Sequence, residues 1–227
     1  MTQAPASPLG YDVKFQRVGV GGGADLQIRS LLDKQQFSDP FGLALAAGIS
    51  SATWPLFGLV WPSAQKLADL MQTWDLKGKR VLELGCGLAL ASLVVHRREG
   101  NVTASDCHPL TEIFLKANLQ LNALPPLPYE TGNWGRINLG LGAFDLLIAS
   151  DVLYERNHPA QLSGFIQEHA ADGAEVLIVD PNRGNRSAFH RDMARMGFSV
   201  TELLMNEPLQ DLSRYRGRLL HYKRDAG

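Results

Sequence analysis

The residues best suited to chemistry gather where one apolar run ends. Val81-Leu82-Glu83-Leu84 leads directly into Gly85-Cys86-Gly87-Leu88-Ala89, and a helical pattern follows. Glycine at such a bend lets a ligand approach the backbone closely, and the first helical amides then face that ligand. A dinucleotide fingerprint would need a third glycine where Leu90 stands, and a phosphate-binding loop would need Gly-Lys-Ser/Thr, which does not follow. One acidic residue, Glu83, precedes the bend, and a second, Asp106, closes the next apolar run. Carboxylates at the ends of neighbouring parallel strands accept hydrogen bonds from an amine and from a ribose diol. The pair therefore suits a cationic nucleoside better than a pyrophosphate, although an aspartate just before Pro109 also suits a helix cap.

Other chemistries find less support. His108, His158 and His190 lack metal-ligand spacing with a third donor, so no metal is expected. Ser105 and Ser150 have no convincing His and acid partners, and the absence of a Gly-x-Ser-x-Gly elbow argues against acyl hydrolysis.

The elements that would position these residues follow from hydrophobic periodicity. Short apolar runs predict strands over 80–84, 102–105, 144–149 and 176–180, with a weaker one over 129–132. Between them, helical spacing predicts helices over 89–97, 110–121, 159–170 and 186–196. This alternation is the mark of a mostly parallel sheet. The end differs, because 199–205 and 218–223 read as an antiparallel pair without a crossover helix. Upstream, 14–20 and 25–32 flank Gly21-Gly22-Gly23-Ala24 and predict a hairpin, whereas 41–61 reads as loop until a helix begins at Ser63. Residues 1–10 read as a disordered leader, 11–60 as a hairpin and loop appendage, and 61–227 as the main domain.

Composition narrows the partners. Lys+Arg 22 against Asp+Glu 23 leaves a net charge of -1, so there is no general positive field for nucleic acid. Two cysteines, Cys86 and Cys107, are too few for a disulfide framework and point to a reducing compartment. No stretch is apolar enough for a membrane span, and a cytoplasmic protein is expected.

Glu83-Leu84-Gly85-Cys86-Gly87, Asp106 and Phe144-Asp145-Leu146-Leu147-Ile148-Ala149-Ser150-Asp151 together resemble the class I, seven-strand methyltransferases that use S-adenosylmethionine (SAM). Ala89 departs from the third glycine that many members keep, but a small residue still permits the turn. A narrower likeness is to methyltransferase family 16, which contains many protein-lysine methyltransferases. It rests on Gly58-Leu59-Val60-Trp61-Pro62-Ser63-Ala64, Asn133-Trp134, Asp151-Val152-Leu153-Tyr154 and Asp180-Pro181-Asn182-Arg183. The resemblance implies an α/β, Rossmann-like sheet of seven mostly parallel strands, helices on both faces and a terminal antiparallel pair, beside the N-terminal hairpin.

The resemblance also implies roles. Glu83, Gly85, Gly87 and Asp106 would hold SAM, with Cys86 and Cys107 in the same loops. Trp134, after Asn133, would lie against the adenine, Trp61 would border the methionine portion, and Ala149 and Ser150 would complete the lining. Asp151 would orient an incoming amine and Tyr154 would wall its slot. The expected activity is N-methylation of a lysine on a protein. Methylation of a small-molecule amine or of another protein side chain, and a noncatalytic SAM-binding module, stand beside it, because this architecture hosts many acceptors.

Overall fold

The computed structural model describes residues 10–136, 138, 140–209 and 211–225, so the expected leader lies almost wholly outside the described residues. Strands β1 (Val13–Val18) and β2 (Leu26–Leu31) form an antiparallel hairpin. Between the hairpin and the main sheet run α1 (Leu43–Ala46), a 3-10 turn (Trp54–Gly58) and α2 (Pro62–Thr73). Then follow β3 (Arg80–Leu84), α3 (Leu90–Arg97), β4 (Asn101–Asp106), α4 (Thr111–Leu121), β5 (Tyr129–Thr131) and β6 (Phe144–Ser150). The chain ends with α5 (His158–His169), β7 (Ala170–Asp180), α6 (Arg186–Arg195), β8 (Ser199–Met205) and β9 (Gly217–Lys223).

The main sheet has seven strands in the order β5-β4-β3-β6-β7-β9-β8, and β9 runs antiparallel to both its neighbours. This is the expected fold class. The order turns back at β3, which pairs in parallel with β4 on one side and β6 on the other. A crevice must open beyond the carboxyl ends of strands at such a reversal, where successive crossovers leave on opposite faces. Glu83, Asp106 and Asp151 all stand at or beside these ends.

Both faces of the central strands are buried, as parallel strands require. Val81 and Ile148 point into the core shared with α2, α3 and the hairpin, while Leu82, Leu84, Leu147 and Ala149 point into the core under α5 and α6. The helix over α2 starts at Pro62, whose fixed φ and missing N–H suit a first helical position, and it buries Leu67, Ala68 and Met71 completely. Each such leucine or methionine contributes roughly 1.5–3 kcal/mol of burial.

Two differences from the sequence reading have simple causes. The 41–61 stretch is not all loop: Asp39 accepts hydrogen bonds from the Ala44 and Leu45 amides and so nucleates α1. Strand β7 begins six residues earlier than the apolar run at Val176, because Ala170 pairs with Phe144 across a register shift. The hairpin is held by an unusual device. Asn118 of α4 and Asn122, which caps its C-terminus, accept hydrogen bonds from the Arg29 and Gln27 amides, and Asn122 Nδ2 donates back to the Gln27 carbonyl. Among the described residues, no helix is long and apolar enough to cross a membrane.

Candidate functional site

The glycine bend is built by three consecutive constraints. Gly85 and Gly87 have φ of 60° and 52°, and Ala89 follows at 58°, so the chain passes through the left-handed region three times in five residues. Ala89 occupies the position where the resemblance leads one to expect glycine, at a steric cost of roughly 1–2 kcal/mol for an L-residue. A Cβ on Gly87 would stand 2.9 Å from the Phe57 carbonyl oxygen, and one on Gly85 would press the Trp134 ring at 3.2 Å. The bend is therefore packed between the 3-10 turn and the segment after β5.

Asp106 ties this bend to the next strand. Its Oδ2 accepts the Gly87 amide at 2.9 Å and its Oδ1 the His108 amide at 2.8 Å. Burial pushes its pKa up, against the backbone hydrogen bonds that favour the charged form. Each carboxylate oxygen keeps a second lone pair, so a diol can still be bound on the open side. Beside it, His108 stacks on Phe57 with ring centroids 3.7 Å apart, and burial pushes its pKa down to about 3.

Bend, aspartate and β6 end open onto one cleft of about 710 Å³. Trp61, Gly85, Cys86, Gly87, Asp106 and Cys107 line one part of it, and Asn133, Trp134, Ser150, Asp151 and Tyr154 line the other. Trp61 is fixed by donation from its indole N–H to the Leu56 carbonyl at 2.8 Å. Tyr154 and Trp134 both set their rings edge-on to His158, at 4.6 and 5.4 Å. His158 Nδ1 donates to the Val152 carbonyl at 2.7 Å, which leaves Nε2 as an acceptor, and burial lowers its pKa.

Glu83 and Ala149 do not line the cleft, contrary to expectation. The pleat places Val81 and Glu83 on the α3 side of the sheet, and the Glu83 carboxylate accepts the Ser92 amide at 2.7 Å and the Ser92 hydroxyl. Ser92 is the third residue of α3, where amides have no partner within the helix, so Glu83 caps that helix from the strand below. Ala149 points the other way, into the core under α5.

Burial raises the Glu83 pKa to about 7, despite the opposing hydrogen bonds from Ser92. A folded-state value above the ordinary 4.5 means that stability is fullest when pH lies below 4.5 and is lost as pH rises through 7. The shift corresponds to about 3 kcal/mol. Glu83→Gln removes this ionisation, so the stability of wild type relative to the variant is expected to fall by about that amount between pH 5 and 8.5. Urea unfolding at both values checks it, and a pH-independent difference would refute it.

Arg183 and His158 are cleft residues to which the sequence reading gave no role. Arg183 stood in the quoted Asp180-Pro181-Asn182-Arg183 motif, and His158 falls one helical turn after Tyr154, but neither spacing reveals a partner. Arg183 bonds both Asp151 oxygens, Nε to Oδ1 at 2.7 Å and a terminal nitrogen to Oδ2 at 2.9 Å. Among the described residues no group of three or more His, Cys, Asp or Glu could hold a metal ion.

Comparison with known proteins agrees with this arrangement. A family profile described as lysine methyltransferase matches residues 48–195. The electron transfer flavoprotein beta subunit lysine methyltransferase of Rattus norvegicus is 31% identical over 161 residues, which cover 69% of this chain and 61% of that protein. Protein N-lysine methyltransferase METTL21A of Danio rerio is 34% identical over 183 residues, which cover 74% of this chain and 82% of that protein. Among solved structures, magnesium protoporphyrin IX methyltransferase (ChlM) from Synechocystis PCC 6803 with bound SAM is similar with a TM-score of 0.56 at 18% identity, covering 74% of this chain and 86% of that one, a likeness of fold. The chain spans about three-fifths of the length of the electron transfer flavoprotein beta subunit methyltransferases it matches. With the profile covering well over half of its residues, and with the seven-strand sheet and its switch-point cleft in place, the chain belongs to the lysine methyltransferase family.

Proposed function

We propose that this chain is a SAM-dependent methyltransferase that N-methylates a lysine side chain on a protein. The observation that carries the reading is the single cleft that joins the glycine bend and Asp106 to Asp151 and Tyr154. The residues fit the cofactor: the backbone of Gly85 to Gly87 lines the cleft without bulky side chains, and Asp106 keeps acceptor capacity beside it. Asp106 would take the ribose diol, the amides around Gly87 would lie against the methionine end, and Trp134 and Trp61 would cover the adenine and methionine portions. Glu83 would act by holding α3 against the bend. When bound, SAM supplies a methyl group on a positively charged sulfur, and the C–S electron pair leaves with sulfur as the amine lone pair forms the N–C bond.

This chain's residues contribute alignment and dryness. Holding two reactants in an attack geometry is worth on the order of 7–11 kcal/mol in favourable cases. Aromatic faces at Trp134 and Tyr154 attract a sulfonium or alkylammonium by roughly 0.5–2 kcal/mol. The names of the relatives support a protein lysine as acceptor. A reducing, cytoplasmic setting is in keeping with two free cysteines.

SAM at about 100 times its dissociation constant is expected to add roughly 2.7 kcal/mol to stability. A thermal shift measures it, and none at millimolar SAM would refute the reading. Labelled SAM added to a lysate of cells lacking the chain, followed by mass spectrometry, is expected to mark a protein lysine. Label on small metabolites alone would favour a small-amine acceptor, and binding without any transfer would favour a noncatalytic module.

A further inference from the structure

We infer that Arg183 is a positioning residue for the methyl acceptor: by bonding Asp151 through both its oxygens it holds that carboxylate still and cancels its charge, so that the cleft takes the lysine as a neutral amine. The inference rests on the proposed lysine methylation and concerns the acceptor end of the same cleft.

The geometry is built from two bends. Asp151 follows β6 with φ of 53° and Asn182 follows β7 with φ of 66°. Aspartate and asparagine tolerate the left-handed region better than other side-chain-bearing residues, yet two such turns at adjacent strand ends are strain of the kind that gathers at functional sites. The first turn is anchored by the Asp151 amide, which donates to the Val179 carbonyl at 2.9 Å. The second is anchored by buried Asp180, whose Oδ1 accepts the Arg183 amide at 2.8 Å and faces Arg186 at 3.7 Å. Asn182 is held from the far side as well, since its Oδ1 accepts from Arg218 and its Nδ2 donates to the Arg216 carbonyl. Together these anchors aim the Arg183 guanidinium across the strand gap onto Asp151. The two-pronged bond fixes the plane of the carboxylate, which a single-point contact would not do.

The chemistry of the acceptor gives this arrangement its use. An ammonium has no lone pair, and a lysine with a pKa near 10.4 is almost wholly protonated in water at neutral pH. An opposite charge within about 4–6 Å favours the charged form and shifts a pKa by roughly 1–3 units. A bare Asp151 would therefore hold the lysine in its unreactive state. Paired to Arg183, it keeps spare lone pairs that can accept an N–H from the neutral amine, while the proton has already gone to water. The surroundings agree with this. The charged and titratable groups that feel Asp151 are Tyr154 from its own segment, Asp180 at the end of β7, Arg183 just beyond it, and Tyr215 from the β8–β9 connection. Arg186 of α6 balances Asp180, and His158 of α5 offers the uncharged acceptor Nε2. The Asp151 side chain is 12% exposed and that of Arg183 41%, so the pair sits at the mouth, where a side chain entering from solvent meets it.

The test uses the full chain in excess over its acceptor in the lysate described above, with labelled SAM, and follows single-turnover labelling of the marked lysine from pH 6.5 to 9.5. Under these conditions the limiting rate reports the ionisation of the bound lysine. For Arg183→Ala we expect the acid limb to move up by about one pH unit, the limiting rate at pH 7 to fall about tenfold, and the half-saturating enzyme concentration to fall, because a bare carboxylate holds the ammonium more tightly. Arg183→Lys restores the charge and should return the limb, and so should Arg183→Ala combined with Asp151→Asn. Thermal melts confirm that each variant is folded. An unmoved limb, a faster Arg183→Ala enzyme, or a loss of binding and rate together without a pH shift would overturn the inference while leaving the methyltransferase reading in place. A wild-type chain that marks no lysine would overturn both.

Discussion

Asp106→Ala is expected to weaken SAM binding by a hundredfold or more and to lower stability by about 2–6 kcal/mol. Both effects come from one carboxylate with two duties. Its oxygens accept the Gly87 and His108 amides, and removing them leaves two donors at a residue that is only 8% exposed. Each buried donor stranded in this way costs about 1–3 kcal/mol. The affinity loss is larger than a missing ligand contact alone would give, because the bend that cradles the cofactor loses its tie to β4. Asp106→Asn separates the duties: it keeps one acceptor oxygen, so it should recover part of the stability while still binding SAM poorly. Isothermal titration and urea unfolding measure the two quantities independently. An alanine variant that bound SAM within threefold of wild type would remove Asp106 from the cofactor site.

Gly87→Val is expected to be the most damaging single change in the bend, costing 3 kcal/mol or more and abolishing SAM binding. The backbone at φ 52° is a true outlier for a β-branched residue, and the added carbon would lie 2.9 Å from the Phe57 carbonyl oxygen. That oxygen cannot retreat easily, since Phe57 belongs to the 3-10 turn and is stacked on His108. For a chain of this length the loss should lower Tm by about 6–12 °C or more. Gly164→Ala is the informative contrast. Gly164 lies within α5 with open space around an added methyl, and there the substitution should stabilise by roughly 0.4–1 kcal/mol. If Gly87→Val and Gly164→Ala melted alike, the argument from close approach would fail.

Much of this architecture could be read in the chain because the signals were local. Runs such as Val81 to Leu84 and Phe144 to Ala149 carry apolar residues on both faces, each broken by one carboxylate, as a buried parallel strand allows, and the glycines after Leu84 mark the reversal of direction. What stayed hidden depends on partners far away in sequence. Glu83 looked like a ligand contact by its position before the bend, yet its partner Ser92 lies across the turn, and only the pleat decides which way the carboxylate faces. The pairing of Arg183 with Asp151 spans 32 residues and a whole crossover, α5 and β7. The short α1 helix escaped notice because its cap is a side chain, Asp39, that precedes a glycine-rich stretch with no periodicity of its own.

The two asparagines at the C-terminal end of α4 that clasp the hairpin have a consequence for how the protein behaves among its own copies. Unclaimed main-chain groups along the rim of β2 would invite a foreign strand to add itself there. Since Asn118 and Asn122 already satisfy the Gln27 and Arg29 amides and the Gln27 carbonyl, that stretch of the rim is closed to fibril-like growth, and replacing both with leucine should reopen it and make the surface sticky.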